Sequence, residues 1–110
     1  MAKNVTSQNV TIASSGTDST TITMERNRIP VGVIIPSAIT GTSFKYKNSL
    51  DDGTTLVTVY SGSTDYETNV AASKYVALNP DVMQGIKTFQ IIATTTQTAA
   101  RTISVVMGEL

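Results

Sequence analysis

Forty of the 110 residues are Thr, Val or Ile. A branched Cβ crowds the preceding turn of a helix but fits a pleated, half-buried surface, so a chain this rich in such residues is expected to fold as β-sheet almost throughout. The same sequence holds no His, Cys or Trp. That removes the usual proton shuttle at neutral pH, the thiolate nucleophile and the softest metal ligands. The chemistry left to the chain is mainly that of surfaces.

The length is that of one domain with one core, and 40% hydrophobic residues can fill a thin sandwich. Aromatic residues are only 5%, so Phe44, Phe89 and a few tyrosines must serve as the large pieces among Val, Ile, Leu, Met and Ala. Eight basic and eight acidic residues cancel. Without a basic excess, binding to nucleic acid through counterion release is not expected. Low net charge also mildly favours association with other chains. Residues 1–6 lack an apolar signal core and no run approaches a membrane span, so neither export by a signal peptide nor membrane insertion is expected. The triplets beginning at Asn4 and Asn9 match the glycosylation pattern, as chance produces in a Thr-rich chain.

Alternation and turn residues divide the chain into short strands. Residues 1–8 read as a flexible arm, ordering on a partner, and a single β-sandwich domain follows from 9 to 110 with its first strand near Asn9. Ile22 and Met24 point one way after a turn at 14–18, and Glu25, Arg26, Asn27 and Arg28 form the densest charge run, a solvated loop or a contact with a neighbour. The apolar run Ile29 to Ile35, entered through Pro30, is expected to be a core strand buried on both faces. From Thr42 to Asn48, Phe44 and Tyr46 share one face and Lys45 and Lys47 the other, and the turn Asp51–Asp52–Gly53 leads back into a second strand from Thr54 to Tyr60. A loop at 61–65 precedes strands near Tyr66–Val70 and Lys74–Leu78. Asn79 as cap, Pro80 at the first position and Gly85 as stop predict one short helical turn near 80–85. Phe89, Ile91 and Ala93 on one strand, and Ile103, Val105 and Met107 on the next, suggest a closing antiparallel pair joined by 95–100. Eight or nine short strands without a long helix predict an all-β, antiparallel β-sandwich, with a small closed barrel as the alternative.

No catalytic constellation emerges. Adjacent Asp51 and Asp52 would point to opposite faces of a strand, and the other acids fall mostly in turns, so no acid–base pair is expected. Asp51, Asp52 and Asp65 are calcium-type ligands whose spacing matches no known loop, and they are read as turn acids; no metal is assigned. Tyr46, Tyr60, Tyr66 and Tyr75 are candidates for a carbohydrate platform, or simply rings at the sheet margin. No glycine-rich phosphate loop is present, and no cofactor is implied.

From about Arg28 onward the chain resembles a group of small structural proteins of tailed bacteriophages. The resemblance lies in Val31–Pro36, Ala38–Thr42, Asp51–Thr55, Val70–Pro80 and Gly85–Lys87, in that order. It implies a β-sandwich, often of jelly-roll type, that decorates or cements the outside of the phage head. The implied partners are the major capsid protein and neighbouring copies of the chain, as a homo-oligomer or side by side on the lattice. The chain would be made in the host cytoplasm and act on the outer head surface, and the same resemblance admits a carbohydrate-binding module of a tail or head fibre. The N-terminal third matches nothing in that group. For the lattice contact the expected residues are Asn4, Val5 and Val10 of the arm and Glu25, Arg26 and Arg28 of the charged loop.

Overall fold

Alternating polar and apolar side chains give each strand one face to bury, and here two antiparallel sheets bury those faces against each other. The computed structural model describes residues 4–109. Its elements in chain order are β1 (Val5–Ile12), β2 (Ile22–Thr23), β3 (Arg28–Ile34), β4 (Ser43–Ser49), β5 (Val57–Thr58), β6 (Tyr60–Ser61), β7 (Thr64–Asp65), β8 (Glu67–Asn69), β9 (Tyr75–Ala77), α1 (Pro80–Met83), β10 (Thr88–Ala93) and β11 (Arg101–Glu109). One sheet runs β1-β11-β3-β9 and the other β2-β10-β4-β5, with β8 also on β4; β6 and β7 form a small hairpin. The result is an all-β sandwich. Except among β4, β5 and β8, which share the second sheet, each connection between main strands crosses from one sheet to the other.

The interior is filled by the faces read from the sequence. Val10, Ile12, Val33, Ile103, Val105 and Met107 line it from the first sheet, and Ile22, Phe44, Tyr46, Phe89, Ile91 and Ala93 from the second. Phe89 stacks on Tyr46 with ring centroids 5.3 Å apart. The Tyr46 hydroxyl is satisfied by Thr68 Oγ1 at 2.7 Å, and burial raises its pKa well above the usual phenol range despite that bond. The short helix appears where its cap and proline placed it: the Asn79 side chain accepts from the Asp81 N–H, and Met83 is fully buried.

Several expectations are revised. β1 begins at Val5 rather than near Asn9 and is paired with β11 along all eight residues, so positions 5–8 of the expected arm belong to a sheet; residues 1–3 of that arm lie outside the described residues. β10 and β11 do not pair with each other. β10 lies between β2 and β4, whereas β11 lies between β1 and β3, and the apolar faces of the two strands meet across the core instead of side by side. Their shared alternation could not separate the two cases, because either arrangement buries the same residues. The run 29–35 is not buried on both sides, since Ile34 faces outward. Pro30 sits inside β3 rather than at its entry, where the register shifts between Val106 and Met107 and Val31 is the extra residue. A bulge is where a missing ladder donor does least harm.

The second sheet carries an excursion. β5 runs along β4 opposite Lys47 and Asn48, β8 resumes the same path opposite Ser43 to Lys45, and β6 and β7 loop out between them. Two bonds close its base: Val59 N–H donates to Tyr46 C=O, and Tyr66 N–H donates to Val59 C=O, both at 2.9 Å. The stretch 61–65, expected as a loop, is therefore mostly a hairpin.

Gln97 ties the loops at one end. Although fully buried, its amide Nε2 donates to the carbonyls of Thr40 (2.7 Å) and Thr95 (2.9 Å), and its Oε1 accepts from Thr40 N–H (3.0 Å) and Arg101 Nε (3.3 Å). Its backbone pairs with the 13–16 turn through Ser15 N–H to Gln97 C=O and Gln97 N–H to Gly16 C=O.

Candidate functional site

Among the described residues, β1 is the longest strand at the edge of either sheet. β1 is an outermost strand, and among the described residues only its far end is covered: Thr20 N–H donates to Thr11 C=O at 2.9 Å, and Thr11 N–H donates to Thr20 Oγ1 at 3.0 Å. The amide and carbonyl of Thr11 therefore point away from β11. In an antiparallel ladder that direction alternates residue by residue. The regular β1–β11 register then puts the backbone groups of Val5, Ser7 and Asn9 on the same open side. This segment contains no charge, proline or bulge, the devices that usually blunt an edge.

Of the six residues expected to meet a partner, three gather at the start of this edge. Arg28 Nη1 donates to Asn4 C=O at 2.9 Å and its Nη2 to Asn4 Oδ1 at 3.2 Å, while Asn4 Nδ2 donates to Glu109 Oε1. Arg26, Asn27, Arg28 and Glu109 line a depression of about 420 Å³ there. A tight turn places them, with Arg28 N–H donating to Glu25 C=O at 3.1 Å and Asn27 in the left-handed region at φ 62°. Asn is one of the few side chains that tolerate that conformation. Val5 is half exposed beside the cluster, and Glu25 is exposed. Val10 is elsewhere. It is 1% exposed and packs in the core, so it supports the strand and cannot itself reach a partner.

A second cluster, not anticipated as a unit, surrounds the β6–β7 excursion. Lys45 projects from the outer face of β4 and its Nζ meets Asp65 Oδ2 at 3.2 Å. Around this pair, Tyr60, Ser61, Thr64, Tyr66 and Glu67 line an open polar depression of about 700 Å³. Tyr60 is 60% exposed, and its hydroxyl donates to Ser63 C=O within the same hairpin. Tyr66 leans on Tyr46 at a centroid distance of 5.8 Å, and its hydroxyl accepts from Asn79 N–H at 3.0 Å. The alternation of β4 put Lys45 on the outer face, but no local pattern shows that Asp65 lies across from it.

The four tyrosines thus separate by environment. Tyr46 is core, Tyr66 is half-buried, and Tyr75 covers Gly32, where a Cβ would fall 2.2 Å from its ring. Tyr60 has the most open ring of the four.

The turn acids do not converge. Asp51 Oδ1 accepts from Ser49 Oγ (2.6 Å) and Thr55 N–H (2.8 Å), and the Ser49 bond leads in holding its carboxyl below the usual carboxylate range. Asp52 lies 4.0 Å from Lys87 Nζ, and Asp65 belongs to Lys45. Among the described residues no group of three or more His, Cys, Asp or Glu side chains is arranged to hold a metal ion. No helix among them is long and apolar enough to cross a membrane. Comparison of the chain with protein-family models, with curated proteins and with solved structures finds no match.

Proposed function

We propose that this chain is a noncatalytic bacteriophage structural protein, a decoration or cement subunit that binds the major capsid protein lattice on the outer surface of the head. The open, uncharged edge formed by Val5, Ser7 and Asn9 carries the reading, because it can accept an extended segment of a partner as a further strand. The Asn4–Arg28–Glu109 cluster holds the start of that edge in place. The strand orders β1-β11-β3-β9 and β2-β10-β4-β5, with nearly every connection changing sheets, support a jelly roll, an architecture that viral capsid domains use among others. That last support is analogy of fold. Together with the resemblance of residues 28 onward it favours the head over other places of action.

Energetically the role asks little of any single contact. A ligand that binds only the assembled shell stabilises it by linkage, and many modest contacts on a repeating lattice add through avidity. Whether copies also touch each other on the lattice follows from their spacing, and adjacent copies would add to the same effect.

Deleting the N-terminal segment would remove a core strand, so the test is a point change. Ser7→Pro deletes the central outward donor without removing a β1–β11 ladder bond. It should leave stability within about 1 kcal/mol of the parent while reducing cosedimentation with expanded phage heads at least about tenfold. Gln8→Pro removes an inward donor and should destabilise the fold instead. A Ser7→Pro chain that folds and still binds heads like the parent would rule out docking by this edge.

A further inference from the structure

The β6–β7 hairpin contributes little to the core. Tyr60, Ser61 and Thr64 are exposed, and the strand it interrupts would run on along β4 without it. What it does is hold a tyrosine ring open to solvent beside polar groups. The Tyr60 hydroxyl donates to Ser63 C=O within the hairpin, which leaves the ring itself available to a ligand. An aromatic ring loses little conformational freedom when a ligand packs on it.

The groups around that ring narrow the ligand class. Lys45 is bonded to Asp65 and faces Glu67 across the β4–β8 ladder, so the lining carries two carboxylates against one ammonium. An anion would therefore meet repulsion without a free cation to receive it. A lipophilic ligand is equally disfavoured, because the depression is open and mostly polar, and only small-molecule sites that enclose their ligand bury apolar groups well. A neutral sugar fits both constraints: its C–H face packs on an aromatic ring while its hydroxyls donate to carboxylates and accept from hydroxyl or ammonium groups. The volume of about 700 Å³ accommodates one or two rings.

We infer that the depression formed by Tyr60, Lys45, Asp65 and Glu67 is a binding site for neutral saccharides. It lies on the second sheet, away from the β1 edge, and stands independently of the head-binding reading.

Amide chemical shifts of the isotope-labelled chain, titrated with maltose, cellobiose, lactose and N,N′-diacetylchitobiose, test this directly, with sialyllactose as the charged comparison. At least one neutral disaccharide should give saturable shifts centred on residues 60–67, and sialyllactose should bind more weakly. Tyr60→Ala should weaken the interaction at least about tenfold, the loss of one stacked ring, whereas Tyr60→Phe and Tyr75→Ala should stay within about threefold of the parent. Because Tyr60 is mostly exposed, thermal unfolding of Tyr60→Ala should match the parent, and its binding to phage heads should not change. Absence of shifts with all four neutral sugars, shifts centred elsewhere, or a Tyr60→Ala chain that binds as well as the parent would overturn the inference.

Discussion

Replacing Gln97 by Ala should cost far more than its place in a loop suggests. The amide satisfies both backbone groups of Thr40 and the carbonyl of Thr95, and it receives Arg101. Truncation leaves those three backbone groups without their partner. An unsatisfied buried group costs about 1–3 kcal/mol; Thr40 is half-buried, so its two groups belong at the low end, and Thr95 is exposed, so its carbonyl adds little. With the small void left by a fully buried side chain, the expected loss is about 2–4 kcal/mol, a large part of the roughly 5–15 kcal/mol by which domains are stable. In urea, with a slope of about 2 kcal/mol/M for a domain of this size, the midpoint should fall by about 1–2 M. Gln97→Glu sharpens the test. A carboxylate cannot donate to the Thr40 and Thr95 carbonyls, so its charged form is disfavoured in the folded state and its folded pKa is raised. Stability should then be highest below the usual carboxylate value of about 4 and fall as pH rises through the folded pKa, with Arg101 offsetting part of the loss. A Gln97→Ala loss under about 0.5 kcal/mol, or a Gln97→Glu chain more stable than Gln97→Ala at neutral pH, would refute the reasoning.

Three other changes probe separate parts of the account. Tyr46→Phe should cost about 1 kcal/mol at neutral pH for the lost bond to Thr68. Because burial raises the folded phenol pKa, the unfolded chain releases its proton first, near pH 10, so the parent should lose stability above about pH 10 and Tyr46→Phe should lose less, as alkaline denaturation will register. Gly41 has φ 89°, and a Cβ there would lie 2.6 Å from Thr95 Oγ1, so Gly41→Ala should lower stability by about 1–3 kcal/mol in chemical denaturation. Phe44→Ala should cost about 3–5 kcal/mol by the same measurement, since its fully buried ring cannot be replaced by neighbours on a paired strand.

Features that depend on residues near in sequence were legible. Phe44 and Tyr46 on one face of β4, the Asn79–Pro80 start of α1 and the Gly53 turn all follow from local spacing and backbone preference, and the structure places them accordingly. Pairing was harder. Ile91 and Ile103 carry equally strong signals, but alternation states which face is buried and not which strand lies alongside. The start of β1 is not legible because Val5 to Asn9 lack an apolar stripe; their order comes from backbone bonds to β11, which side-chain patterns do not report. The same limit concealed two polar clusters. Gln97 meets Thr40 across 57 positions and Lys45 meets Asp65 across 20, and only the fold brings them together.

Hydrogen exchange at the amides of Val5, Ser7 and Asn9, measured for the free chain and for the chain bound to expanded phage heads, tests the central claim most directly. In the free chain these outward N–H groups should exchange quickly while the inward amides of Thr6 and Gln8 are protected. On heads, the three should slow at least about tenfold as a partner strand engages them. Heads that bind the chain while all three amides keep their free rates, or heads that fail to bind it at all, would contradict the account.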